Sequence, residues 1–307
     1  MCFVDENCHK TRLILQIRQV KSRFKKYRKK NNICPTSAKV CVLRAGGSGD
    51  KILTTGGIMR IGIITAMAEE TLPVMNKLGG IVAEDFIAGV RIIQIEAEGH
   101  TVYLANSGIG EIRAALAVQM LVDLFDIEAV LNFGFVGSLN KSIPVGEMVI
   151  AERAVHHQFD ITAVDNVPVG KYDNRDSVYF ETSREIAERV QNKLSSPLRK
   201  VTVASGDKFV GDSETKKYLH DAFGADICEM ELAGICLAAE RNNIPVFSLK
   251  VVSDGADENA TISFGEILEK GLTRYEELLP DVLRALAGVR PAAQPPVVRG
   301  EKRIVKK

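Results

Sequence analysis

Three acidic clusters in this 307-residue chain sit beside small or turn-forming residues at the ends of apolar runs. They are Ala66-Met67-Ala68-Glu69-Glu70, Glu229-Met230-Glu231 and Ser253-Asp254-Gly255. Open α/β sheets place ligands at such strand ends. Taken singly, each cluster reads as a helix start, where Asp and Glu favour the first turn through capping and the backbone dipole. Taken together, carboxylates converging from separate strands are suited to acid–base work on a sugar bond. A fourth segment, Ser107-Gly108-Ile109-Gly110-Glu111, follows a strand-like run and opens a helical one. Its small residues either bring backbone N–H groups close to a ligand oxygen or make a tight turn. No Gly-Lys-Ser/Thr follows, so it is not a nucleotide-binding loop of that kind. His156-His157 lies near Asp160, but no third ligand is spaced to complete a metal site, which favours a surface or interface role. No Ser-His-Asp or Cys-His nucleophile pattern stands out.

The elements that must position these residues begin at Met59. Arg60–Met67 is a β-rich apolar run passing into a helical stretch, and Val90–Ala97 and Thr101–Asn106 read as strands around a turn at Glu98-Gly99-His100. Ala129–Phe135 is a near-continuous apolar run, as expected of a central strand covered on both faces. Glu147–Val155, Lys200–Ala204, Ile227–Met230 and Val246–Val252 continue as strands. Helical patterns cover Ile112–Phe125, Ser183–Leu194, Leu232–Asn242 and Phe264–Leu286. The expectation is one α/β domain over residues 59–290, with helices interleaved around a mixed β-sheet.

Charge separates this unit from the chain ends. Residues 1–58 hold thirteen Lys/Arg against three Asp/Glu, and residues 291–307 hold five against one. The chain as a whole is +1, which leaves residues 59–290 at −13. Lys21–Lys30 is a dense basic run, and Pro291, Pro295 and Pro296 mark a tail expected to be disordered. Gly56-Gly57-Ile58-Met59 is compatible with a ribosome-binding sequence ahead of a start codon, so residues 1–58 are expected to be accessory or over-extended. Cys2, Cys8, Cys34 and Cys41 lie in that extension and only Cys228 and Cys236 in the core, with no disulfide framework, so a cytoplasmic setting is expected. No apolar run approaches the roughly 20 residues that span a bilayer.

The segment Met59–Glu70 resembles the opening of the 5′-methylthioadenosine/S-adenosylhomocysteine nucleosidases, members of the nucleoside phosphorylase superfamily. The resemblance continues in order through Ser107–Gly110, Asn132–Ser138, Val145–Glu147, His157–Thr162, Ser205–Val210, Glu229–Glu231 and Ser253–Asp257. It implies the three-layer fold of that superfamily, a homodimer whose partner contributes to the pocket, and no metal or cofactor. It implies that Glu70 is a general base activating water and Asp254 the general acid on adenine N7. Glu231 would bind the ribose hydroxyls, with Met230 packing on the ribose. Phe209 would stack on the base, Val210 would read its edge through the backbone, and Ser107, Gly108 and Ser253 would line the pocket. Two departures bear on the 5′ substituent: Phe133-Gly134-Phe135-Val136-Gly137-Ser138 replaces a Thr-Gly-Ser-Ala-Gly-Gly segment, and Lys250 replaces an Arg, losing its planar fork.

The implied activity is hydrolysis of methylthioadenosine and S-adenosylhomocysteine with release of adenine, in methionine salvage and methyl-cycle recycling. A purine or uridine phosphorylase is the alternative, and a nucleic-acid-binding protein is a third class resting on the basic arm alone. A phosphorylase needs cations around phosphate, whereas the loop after Ile64 offers Glu69 and Glu70 and no Arg or Lys. Carboxylates there suit water.

Overall fold

The computed structural model describes residues 58–172, 175–258 and 260–289. The expectations for residues 1–57 and for the Pro-rich basic tail lie outside these. Ten strands and six helices are present among the described residues. In chain order they are β1 (Arg60–Thr65), α1 (Ala68–Leu78), β2 (Ile81–Ile87), β3 (Val90–Ala97), β4 (His100–Asn106), α2 (Glu111–Phe125), β5 (Ala129–Ser138) and β6 (Met148–His156). They continue with β7 (Tyr179–Glu181), α3 (Arg184–Gln191), β8 (Arg199–Ser205), α4 (Ser213–Phe223), β9 (Ile227–Glu229), α5 (Leu232–Arg241), β10 (Val246–Asp254) and α6 (Ala260–Leu286).

Local chemistry accounts for the ends of these elements. The β3–β4 hairpin turns through Glu98 and Gly99, both at positive φ (51° and 78°), the geometry that a two-residue hairpin loop demands. Ser183 caps α3 by accepting the Ile186 N–H, and Asp212 caps α4 by accepting the Thr215 N–H at 2.7 Å. Gly224, at φ 55°, closes α4 in the left-handed conformation.

β5 and β10 are the strands on which everything else is built. Every residue of β10 is buried, and β5 is buried at every position but Phe135. Such strands have both faces covered, which is why most of their positions are apolar, with polar residues such as Asn132, Ser248 and Lys250 buried among them. β5 is parallel to β1 and β10, and β1 is parallel to β4. β10 pairs with β5 on one side and antiparallel with β6 on the other. Because β6 pairs β8, β8 pairs β9 and β9 returns to β5, five strands close into a ring. The arm β1-β4-β3-β2 extends from it.

Two large clusters of buried side chains cover the faces of the sheet, and a third, smaller one gathers Val155, Val210, Leu219 and Phe223. On one face Val74 of α1, Ile186 and Val190 of α3 and Leu279, Val282 and Leu286 of α6 pack on Ile61, Ile63, Leu131 and Leu249. On the other, Ala114, Val118 and Leu121 of α2 and Ile235 and Ala239 of α5 pack on Ile64, Val130 and Val149. The described residues form a single α/β domain of three layers with a mixed sheet. None of its described helices is long and apolar enough to cross a membrane.

Three elements, β2, β7 and α4, were not expected from the pattern. The side chains of β2 are exposed or half-buried throughout, α4 buries only Leu219 and Phe223, and β7 is three residues long, so none shows a strong apolar period. His156 and His157, for which the sequence favours a surface or interface role, are half-buried. His156 Nδ1 lies 2.7 Å from the Tyr172 hydroxyl, and burial holds the His157 imidazole down at about 4, so it is neutral.

Candidate active site

The ends of β1, β5, β9 and β10 and the loop after β8 surround a cavity of about 310 Å³. Its walls carry Asp254, Glu231, Met230, Ser253, Phe209 and Val210, six of the residues singled out from the sequence. Phe209 stands half out in solvent at the rim, while Val210 is buried. Phe135 supplies an apolar wall. A Cβ at Gly271 of α6 would lie 2.7 Å from the Phe135 ring, so that helix needs glycine where the ring is seated.

Asp254 is the last residue of β10. Its Oδ1 accepts the Ala256 N–H at 2.8 Å and its Oδ2 the Ser253 hydroxyl at 2.8 Å. Burial pushes its pKa above the ordinary carboxylate value. The two donors oppose that push, Asp257 reinforces it, and Lys216 weakly counters. A buried acid of this kind holds its proton to higher pH, as a general acid requires.

Glu70 is buried behind the cavity wall rather than on it. Its Oε2 accepts the N–H groups of Ala66 (2.8 Å) and Met67 (3.0 Å), and its Oε1 accepts the Phe135 N–H at 3.2 Å. It is therefore a helix-capping carboxylate at the start of α1, and it also reaches across to β5. Burial raises its pKa, while the three N–H donors and the charge of Lys250 pull it back. Gly134 is what lets these groups meet, since a Cβ there would sit 3.3 Å from Glu70 Oε1 and 3.4 Å from Lys250 Nζ.

Lys250, in mid-β10, is 1% exposed, and its Nζ lies 2.9 Å from Glu229 Oε2. Burial alone would lower its pKa, but Glu229, Glu231 and Glu70 together outweigh that and raise it. Glu231 is raised to about 7 by burial and by the neighbouring Glu229, with Lys250 and the Gly110 N–H opposing. That N–H donates to Glu231 Oε1 at 3.0 Å. The Glu111 N–H donates to Asp207 at 2.8 Å. The two N–H groups at the end of the Gly-Ile-Gly turn thus hold the protein's own carboxylates.

Ser107 and Gly108 do not line the main cavity. They border a separate groove with Asn106, Arg113 and Leu116. The Ser107 hydroxyl lies within bonding distance of the carbonyls of Gly108 (2.9 Å) and Thr65 (3.2 Å), which ties the end of β4 to β1. Sequence reasoning missed the pairing of Lys250 with Glu229 and the burial of Glu111. The sequence signals were a lysine inside an otherwise apolar strand and acids flanking Met230. Among the described residues no three His, Cys, Asp or Glu side chains are grouped as metal donors.

A three-layer α/β domain with a strand-end cavity lined by carboxylates defines a class, and comparison with known proteins identifies it. The family model of the phosphorylase superfamily matches residues 60–285, and the chain belongs to that superfamily. An aminodeoxyfutalosine nucleosidase of Helicobacter pylori (strain J99) is 31% identical over 232 residues, 75% of this chain and 100% of that protein. A 5′-methylthioadenosine/S-adenosylhomocysteine nucleosidase of Geobacillus kaustophilus is 30% identical over 239 residues, 74% of this chain and 98% of that protein. The solved structure of the S. pneumoniae methylthioadenosine/S-adenosylhomocysteine nucleosidase with a transition-state inhibitor aligns with a TM-score of 0.69 at 31% identity. The alignment covers 74% of this chain and 100% of that one. These relatives support hydrolysis of a nucleoside's N-glycosidic bond.

Proposed function

We propose that the chain hydrolyses the N-glycosidic bond of 5′-methylthioadenosine and S-adenosylhomocysteine, releasing adenine, as a homodimer and without a metal or cofactor. The observation that carries this reading is the buried Asp254 carboxyl, with its raised pKa, in the same cavity as Glu231. Asp254 protonates the departing base, and the bond opens toward an oxocarbenium-like state. Glu231 accepts hydrogen bonds from the ribose hydroxyls and strengthens them as positive charge grows on the sugar. Glu70 takes the proton of the attacking water on the opposite face, as in an inverting glycoside hydrolysis. Met230 and Phe209 pack on the ribose and the base, and Val210 and Ser253 complete the wall.

Phosphate is a poor candidate nucleophile. Lys250 already pairs with Glu229, and a phosphate entering near Glu70 would meet that carboxylate and Glu231 as well. Aminodeoxyfutalosine is a second candidate substrate, favoured by the naming of the Helicobacter relatives and by the bulky Phe135 in the cavity wall. The test is kcat/KM for methylthioadenosine, S-adenosylhomocysteine and aminodeoxyfutalosine side by side. A preference of tenfold or more for either of the first two supports the reading. A tenfold preference for aminodeoxyfutalosine assigns the second substrate instead.

A further inference from the structure

The buried carboxyl of Glu111 has no part in this scheme, yet its hydrogen bonds lead, directly to Gly234 or through Ser205 of β8, to the start of the helix that follows Glu231. Its Oε1 bonds the Ser205 hydroxyl, and its Oε2 accepts the Gly234 N–H. Ser205 Oγ in turn accepts the Ala233 N–H at 3.0 Å. Glu229 accepts the N–H groups of Glu231 (3.2 Å) and Leu232 (3.0 Å). The first N–H groups of a helix have no partner within it. At α5, four successive ones, from 231 to 234, are taken by Glu229, Ser205 and Glu111.

The step Gly110-Glu111 grips Glu231 twice. Gly110 N–H holds the Glu231 side chain, and the Glu111 carboxyl holds the helix start on which Glu231 sits. Gly234 permits the contact. A Cβ there would lie 2.4 Å from the Glu111 carbonyl oxygen, so any side chain would force α2 and α5 apart. Burying a carboxyl beside two others is costly, and a residue chosen for packing alone would be apolar. The cost appears as a pKa raised to about 8 by burial and by Glu229. Below that pH the group is a neutral acid, able to donate to Ser205 while still accepting from Gly234. A glutamine amide can make the same two bonds.

We propose that Glu111 is the positioning residue for the Glu231 carboxylate, fixing the start of α5 so that Glu231 meets the ribose of a bound nucleoside. This rests on the assignment of Glu231 to the ribose hydroxyls. A small displacement of a positioned group costs up to about 100-fold in rate. Glu111→Ala should therefore lower kcat on a purine ribonucleoside about 10- to 100-fold with little change in KM, and Glu111→Gln should stay within a few-fold of wild type.

A double-mutant cycle gives the decisive readout. If Glu111 acts through Glu231, Glu111→Ala has little further effect in a Glu231→Gln background. A purely structural role would cost the same factor in both backgrounds. Wild-type kcat in Glu111→Ala, or additive losses in the double variant, would overturn the proposal. Wild-type activity in Glu231→Gln alone would instead remove the ribose assignment on which it stands. Thermal unfolding checks that each variant folds. Should Glu111→Ala fail, Ser205→Ala breaks the same chain at Ala233 and must show a smaller loss with the same non-additivity. Additivity there would overturn the proposal equally.

Discussion

Asp254, the last residue of β10, and Glu70, in the first turn of the helix that follows β1, are buried carboxylates solvated by different things. Asp254 has two donors, the Ser253 hydroxyl and the Ala256 N–H, and a second acid, Asp257, nearby. Glu70 has three backbone N–H donors and the charge of Lys250. Burial raises both pKa values. The two differ in the count of donors and in the sign of the nearest charge: Lys250 opposes the rise at Glu70, whereas Asp257 adds to it at Asp254.

The largest expected effect comes from deleting either proton function. Asp254→Asn and Glu70→Gln should each lose about 10²–10⁴-fold in kcat. The two variants should then part on an activated substrate such as p-nitrophenyl riboside, whose leaving group departs without a proton. Asp254→Asn should recover most of its loss there and Glu70→Gln should not. Equal recovery in both would mean that the acid and base roles are not divided as described.

Removing the cation sharpens the same contrast. Lys250→Met leaves Glu229 buried without its partner, a change worth about 3–5 kcal/mol of stability in denaturant titrations. Because Lys250 lowers the Glu70 pKa, its loss moves the acidic limb of the kcat/KM profile to higher pH. An unmoved limb would detach Lys250 from Glu70.

Stability against pH should slope the way raised carboxyl groups dictate. Glu111 at about 8 and Glu231 at about 7 bind more protons folded than unfolded, where a Glu titrates near 4.5. Their contribution is full below about 4.5 and is lost as pH rises through 7 to 8. Tm should fall between pH 5 and pH 9, and less so in Glu111→Gln, whose amide does not titrate. A steeper fall in Glu111→Gln would contradict the assignment.

The smallest effect expected is that of Ser253→Ala. The hydroxyl stabilises the charged form of Asp254, so its loss raises that pKa further and moves the alkaline limb up. The change in kcat should be a few-fold, in line with about 1 kcal/mol for one hydrogen bond. A shift of the limb to lower pH would show that Ser253 holds the acid form instead.

Strands buried on both faces were legible because their sequences are apolar at most positions, as in β5 and β10. β2 was not, since its Glu84 and Asp85 lie on an outer strand that packs little. The closing of the ring was also hidden, because nothing in Val246–Asp254 states that β10 pairs with both β5 and β6. Asp254 and Glu231 could be picked out as acids at strand ends beside small or turn-forming residues. Glu111 could not, because its partners are backbone N–H groups and a serine that only the fold brings together. The sequence leaves the Gly-Ile-Gly segment open between a ligand cradle and a tight turn, and the N–H groups of Gly110 and Glu111 hold Glu231 and Asp207. Sequence shows where small residues free the backbone, but not what the freed donors meet.

Whether water or phosphate attacks the sugar decides the account. Methylthioadenosine incubated with the protein, with and without 50 mM-scale phosphate, should yield adenine and free methylthioribose at a rate independent of phosphate, on the order of magnitude expected of ordinary enzymes. Methylthioribose 1-phosphate formed in proportion to added phosphate, with no turnover in its absence, would contradict it.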